Sequence, residues 1–153
     1  MSHMIHVDTT ALTRTRASDP EAIVRAWRNR RRAERPSDGR LMIVAADHPA
    51  RGALGVRGNA TAMASRAELL DRLATALDRP GVDGVLGTAD ILEDLLLAGL
   101  LEGKIVIGSM NRGGLQGAEF EFDDRWTGYD ADTLAGNGLD GGKMLTRICL
   151  EDE

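Results

Sequence analysis

The sequence predicts an α/β fold built on a parallel sheet, and three observations carry the prediction. Four short, nearly unbroken apolar runs recur: LMIVAAD at 41–47, then segments around 82–88, 104–110 and 140–148 within RPGVDGVLGT, GKIVIGSM and GLDGGKMLTRI. Unbroken rather than alternating runs mark strands covered on both faces, as in parallel sheets. Between the first two lies AMASRAELLDRLATALD, where Met63, Leu69, Leu70, Leu73 and Leu77 recur at helical spacing. The strands follow one another at intervals of about thirty residues, the length of a right-handed βαβ unit.

Composition bounds the rest. At 153 residues, 42 % hydrophobic and 28 % charged, the chain suits one domain with one sizeable core. Residues 1–4, MSHM, read as a tag remnant outside the fold, 5–39 as an N-terminal leader with a basic helix, and 40–153 as the α/β body. A net charge of −5, with acids spread throughout, gives no general argument for binding nucleic acid or an anionic membrane. ILEDLLLAGLL is too short and too acidic to span a bilayer. The single cysteine, Cys149, excludes an intramolecular disulfide and, without a signal peptide, points to the cytoplasm. Seventeen arginines stand against two lysines, Lys104 and Lys143. Where arginine is the default cation, a lysine kept in a strand hints at chemistry that arginine cannot replace.

In the leader, Ser18-Asp19-Pro20-Glu21 reads as a helix start, with Ser18 as N-cap and Pro20 in the first turn. The helix is expected to reach about Arg35 and stop before Pro36. Its basic residues, Arg25, Arg28, Arg30, Arg31, Arg32 and Arg35, form either a nucleic-acid patch or a solvated face paired with acids. The near absence of interleaved aromatics favours the solvated face. A further helix is expected from Asp90 through Leu97, capped by Thr88 or Asp90 and ended near Gly103. GVDGVLGT and GLDGGKML echo one another, as duplicated βα units would.

Ligands of parallel α/β folds bind at the carboxyl ends of the strands. Those ends gather Asp47, His48 and Arg51, then Thr88 and Asp90, then Ser109, Asn111 and Arg112, and finally Lys143 and Arg147. Alternation puts Leu41, Ile43, Ala45 and Asp47 on one face, and Lys143, Leu145 and Arg147 on one face of the last strand. If both faces point inward, an aspartate meets a lysine. Such a lysine is an electrostatic clamp, a proton shuttle or a Schiff-base nucleophile; the plain alternative is a structural ion pair. His48 is either a general acid–base or a histidine hydrogen-bonded in a turn. Asn111-Arg112-Gly113-Gly114 reads as a phosphate or carboxylate cradle. Asp123, Asp124, Trp126 and Tyr129 form a lid or cover an apolar edge. No metal-site spacing and no GxGxxG or Walker pattern is present, so neither metal nor nucleotide is expected.

The strings LMIVAADHPARGALGV, GVDGVLGTADILEDLLLAG, KIVIGSMNRGG and GLDGGKMLTRI, in that order, resemble the N-terminal part of bacterial (β/α)₈ TIM-barrel proteins similar to class I aldolases. These are related to the fructose-bisphosphate, tagatose-bisphosphate and deoxyribose-phosphate aldolases. The resemblance covers most of the chain from about Leu41. It implies that Asp47 is the strand-one aspartate handling substrate hydroxyls and protons, and that Lys143 is an active-site lysine on strand four. The imine-forming lysine of these relatives sits on strand six, for which a sequence ending at Glu153 offers no counterpart.

Length agrees, since a complete barrel takes about 250 residues and rarely fewer than about 200. Three outcomes fit: a fragment of a longer protein, a natural half-barrel pairing with a second chain, or a complete open-sheet domain; the first leads. The expected function is a Schiff-base aldolase-like lyase acting on a small sugar phosphate or polyhydroxylated carbonyl compound, inactive as a half because the strand-six lysine is missing. Asp47, Lys143 and His48 would be catalytic, and Arg51, Asn111, Arg112 and Arg147 would bind anionic groups. No cofactor is implied, because an imine supplies its own electron sink. The alternative is a non-catalytic half-barrel or ligand-binding subunit that pairs with another chain.

Overall fold

The computed structural model describes residues 4–34, 36–111 and 126–146, and within them the chain is an α/β protein. Four parallel strands pair in sequence order: β1 (Ile43–Ala45), β2 (Gly84–Gly87), β3 (Ile105–Ser109) and β4 (Gly141–Lys143). Each is shorter than its apolar run. Pairing of β1 effectively stops where Ala46 N–H donates to Leu86 O at 2.7 Å, so Asp47 already lies beyond the ladder.

Three helices make the crossovers: α3 (Arg66–Leu77), α4 (Ala89–Leu97) and α5 (Ala131–Gly136), preceded by α1 (Thr9–Ser18) and α2 (Glu21–Asn29). The expected N-cap at Ser18 is corrected. Ser18 is the last residue of α1, a helix opened by Asp8, whose carboxylate accepts from Ala11 N–H at 2.9 Å. Ser18 Oγ instead donates back to Arg14 O at 2.9 Å, and α2 starts behind Pro20 with no side-chain cap. The same Ser-x-x-Glu signature operates at Ser65, whose hydroxyl accepts from Glu68 N–H and opens α3. α4 is entered through Thr88 and ends at Leu97, well before Gly103. α5 had no counterpart in the sequence reading: at six residues it is too short to display a helical period.

The basic helix also ends early, at Asn29, because Arg30 turns inward. Arg30 is 6 % exposed, donates to Lys104 O at 2.8 Å and Gly138 O at 2.9 Å, and lies over the Trp27 ring. Arg25 pairs with Asp19 and Arg32 with Asp140, as a solvated face paired with acids would. Arg35 lies outside the described residues. Val7, Leu12 and Trp27 join the same core as Leu70, Leu92 and Val106, so residues of the leader pack into the body. Lys104 is structural, its ammonium donating to Val82 O at 2.7 Å.

Pairing register decides what faces what. Val85, Gly87, Val106 and Gly108 are buried beneath the helices; Leu92 lies against Gly87, and Leu134 against Gly108. The opposite face carries Ile43, Ala45, Leu86 and Ile107, which are half-buried or exposed. No described helix covers it. Expected burial on both faces is thus met on one face only.

A Cβ on Gly84 would lie 2.1 Å from Ile105 O on the neighbouring strand, so backbone has to move. Gly84→Ala is expected to cost about 3 kcal/mol or more in urea denaturation. Asp140 ties α2 and its following turn to the sheet through Arg30, Arg32 and the Val106 N–H. Burial pushes its carboxyl up, but Arg32, Val106 N–H and Arg30 outweigh burial and hold it below its ordinary value. A depressed folded value means the stabilisation is complete above the unfolded carboxyl range, about pH 4, and disappears as pH falls through the folded value. The stability gap between wild type and Asp140→Asn, from urea midpoints at pH 3 to 7, should therefore narrow on the acid side.

Candidate functional site

The carboxyl ends of the strands hold a cleft of about 240 Å³ lined by Asp47, Arg51, Thr88, Asp90, Ser109 and Asn111, with Thr127 and Gly128 on its rim. This is below the ~300–1,000 Å³ of most small-molecule pockets, a size for a small polar compound. A larger cavity, about 440 Å³, lies at the amino ends, lined by Arg32, Leu41, Ile105 and Asp140 among others. Volume alone would select the larger. The functional end of a parallel sheet and the concentration of polar groups select the smaller.

Asp47 is delivered by β1 and is 4 % exposed. Its Oδ2 accepts from the Lys143 ammonium at 2.6 Å, and its Oδ1 lies 3.7 Å from His48 Nδ1. Lys143 arrives from the last position of β4, at the opposite edge of the sheet, so the aspartate and lysine faces do converge. Its side chain remains 24 % exposed. Lys143 does not line the cleft itself; it reaches Asp47 from the β4 side. His48, with 43 % of its side chain exposed, leads into a short 3₁₀ turn, Pro49–Arg51, which carries Arg51 to the cleft wall.

Asp90 sits at the start of α4, where the Thr88 hydroxyl donates to it at 2.5 Å and Arg66 pairs with it. Burial pushes its carboxyl up, yet Thr88, Arg66 and the Ile91 N–H outweigh burial and hold it below the usual carboxylate range. It is therefore an anion at neutral pH. Behind it, buried Asp94 pairs with both Arg66 and Arg16, and Arg16 also takes Glu93. This network pins α1 and α3 to α4 and fixes one wall of the cleft.

Among the expected anion-binding residues, Arg51 and Asn111 line the cleft, while Arg112 and Arg147 lie outside the described residues. Asn111 is committed to the fold: its amide donates to Leu145 O and accepts from Leu145 N–H, both at 2.9 Å. The lid reading divides. Tyr129 is a core residue against Gly108, 3 % exposed, and burial, with Glu93 and Asp90 behind it, pushes its hydroxyl well above the ordinary range. Trp126 is 52 % exposed, and Asp123 and Asp124 are outside the described residues. The cleft also takes in Thr88, Asp90, Ser109, Thr127 and Gly128, to which the sequence assigns no catalytic or binding role. The first three stand at carboxyl ends and were legible by position; Thr127 and Gly128 come from a return of the chain that no local pattern signals. No described group of three or more His, Cys, Asp or Glu side chains is arranged to hold a metal ion, and no described helix is long and apolar enough to cross a membrane.

With this geometry in hand, the chain can be set beside known proteins. Residues 39–153 match the model of a family described as Cgl0159-like. The crystal structure of Cgl0159 from Corynebacterium glutamicum (Brevibacterium flavum), a structural genomics target, is 58 % identical with a TM-score of 0.88. The match covers 94 % of this chain and 49 % of that one, so the chain spans about half the length of the solved relative. No curated protein gives a significant match. The family match and the identity of the solved relative lead to the same conclusion: the chain belongs to the Cgl0159-like family.

Proposed function

We propose that the sheet is the first half of a (β/α)₈ barrel, and that the protein serves as a class I aldolase-like carbon–carbon lyase acting on a small sugar phosphate or polyhydroxylated carbonyl compound. The observation that carries this reading is the Asp47–Lys143 contact at the carboxyl ends of β1 and β4. Along a flat sheet three strand spacings separate those edges by about 14 Å, and side chains stand roughly perpendicular to the sheet. A contact at 2.6 Å across that span favours a face that curves inward, as an arc of a barrel does. Strand order, helices on one face and the doubled length of the solved relative support the same architecture.

In this reading a substrate occupies the cleft with a hydroxyl or carbonyl near Asp47. The Asp47 carboxylate takes and returns a proton there. Lys143 supplies positive charge that stabilises developing negative charge on the reacting oxygen, and Arg51 holds an anionic group. The imine-forming lysine implied by the resemblance belongs to the second half. A second reading, a non-catalytic or ligand-binding half that pairs with another chain, draws on the fact that Lys143 is already engaged by Asp47 and stands outside the cleft lining.

Borohydride reduction of a full-length family member with dihydroxyacetone phosphate, followed by peptide mass spectrometry, should leave a covalent adduct on a lysine. A panel of sugar phosphates yielding no adduct at all removes the class I assignment. Lys143→Gln, which keeps an N–H donor for Asp47, separates the two readings. An enzyme loses turnover by about 10²-fold or more with its melt preserved, whereas a structural pair loses stability instead. Gel filtration addresses the architecture: this chain alone should run as a dimer or larger species that covers the open face, and a clean monomer with a cooperative melt would count against the half-barrel.

A further inference from the structure

We infer that Asn111 is a positioning residue, whose side-chain amide substitutes for a strand pair and keeps the Lys143 ammonium on Asp47. Pairing of β3 with β4 runs through Ser109 opposite Lys143, and Met110 N–H then donates to Lys143 O at 3.0 Å. Just past that point the side chain of Asn111 takes over. Its Nδ2 donates to Leu145 O and its Oδ1 accepts from Leu145 N–H, each at 2.9 Å, so both backbone groups of Leu145 are satisfied from one side chain, as an antiparallel partner residue would satisfy them. Asn111 is 4 % exposed, and its own backbone bridges to Trp126. It therefore clamps the chain two residues beyond Lys143.

The clamp has a purpose that the ladder alone does not serve. β4 is an edge strand of three residues, and Lys143 is its last. A lysine side chain carries about 2 kcal/mol of rotamer entropy that opposes holding one geometry. With Met110 holding the Lys143 carbonyl and Asn111 holding Leu145 two residues on, the ammonium is delivered to a carboxylate at the opposite edge of the described sheet. The consequence for turnover rests on the role proposed above for Lys143; the positioning itself does not.

The chain has two lysines, so a short pulse of an amine acetylating reagent, read by peptide mass spectrometry, reports Lys143 with Lys104 as internal reference. An amine held against a buried carboxylate at 2.6 Å is shielded from the reagent and acetylates slowly. Asp47→Asn, which removes the partner, should accelerate Lys143 acetylation, and Asn111→Ala should do so by about fivefold while Lys104 is unchanged. The double variant should be no faster than Asp47→Asn alone, because both act through one contact. If the alanine variant fails to fold, Asn111→Ser, whose hydroxyl is too short to engage Leu145 at both points, provides the same comparison. An unchanged Lys143 rate in the Asn111 variants, or an equal rise at Lys104, overturns the inference. Acetylation requires no turnover, so a missing borohydride adduct alongside the expected acetylation pattern would sink only the lyase reading.

Discussion

A parallel sheet whose strands pair strictly in chain order leaves little freedom to the rest of the molecule. Each right-handed crossover puts its helix on the same side of the sheet, and here α3, α4 and α5 all bury one face while the other goes without a described helix. That single constraint explains the uneven core. Val85 and Val106 are fully buried, whereas their neighbours Leu86 and Ile107, one residue along and on the other face, are only partly so. It also explains why Asp47, just past β1, and Lys143 of β4 meet, since both project from the helix-free face.

Charge is used in two ways in this fold. Away from the cleft, charged groups replace what short elements cannot supply: Arg30 satisfies carbonyls at the amino ends of the strands, and Asp140 receives Arg30, Arg32 and a strand N–H. Near the cleft, Arg66, Arg16, Asp94 and Asp90 link three helices into one wall. Pairs of this sort add modest stability when exposed and become specific when one partner is buried, as Asp94 is. Their main effect here is to fix where helices end, which places Thr88 and Asp90 beside Asp47.

Much of the candidate cleft could be read from the chain because the carboxyl ends of parallel strands are where its polar residues gather. IVAADHPARG announces a charged residue immediately after an apolar run, and the structure puts Asp47 at a cleft. Period-two alternation placed Asp47 and Lys143 each on one face of its strand, and the structure turns both faces the same way. What failed was local. Ser18 and Ser65 both precede Glu by three residues, yet only Ser65 caps, because an earlier helix from Thr9 runs into Ser18. Arg30 looked like one more solvated cation; only the packing of α2 against α4, which brings the Lys104 and Gly138 carbonyls within reach, turned it inward.

The sequence by itself determined the apolar strands, the helices long enough to display a period and the alternation of faces along each strand, because apolar period and side-chain alternation are properties of a few adjacent residues. Only the tertiary structure decided which of those residues meet. Asp47 and Lys143 are 96 residues apart, and their contact depends on strand order and register together. Asn111 shows the same division: an amide in a loop-like string invites an anion, but whether it binds a ligand or clamps Leu145 depends on where the next strand ends. Long-range pairing satisfies backbone and side-chain donors that no local pattern can assign, and that satisfaction separates a candidate ligand from a structural support.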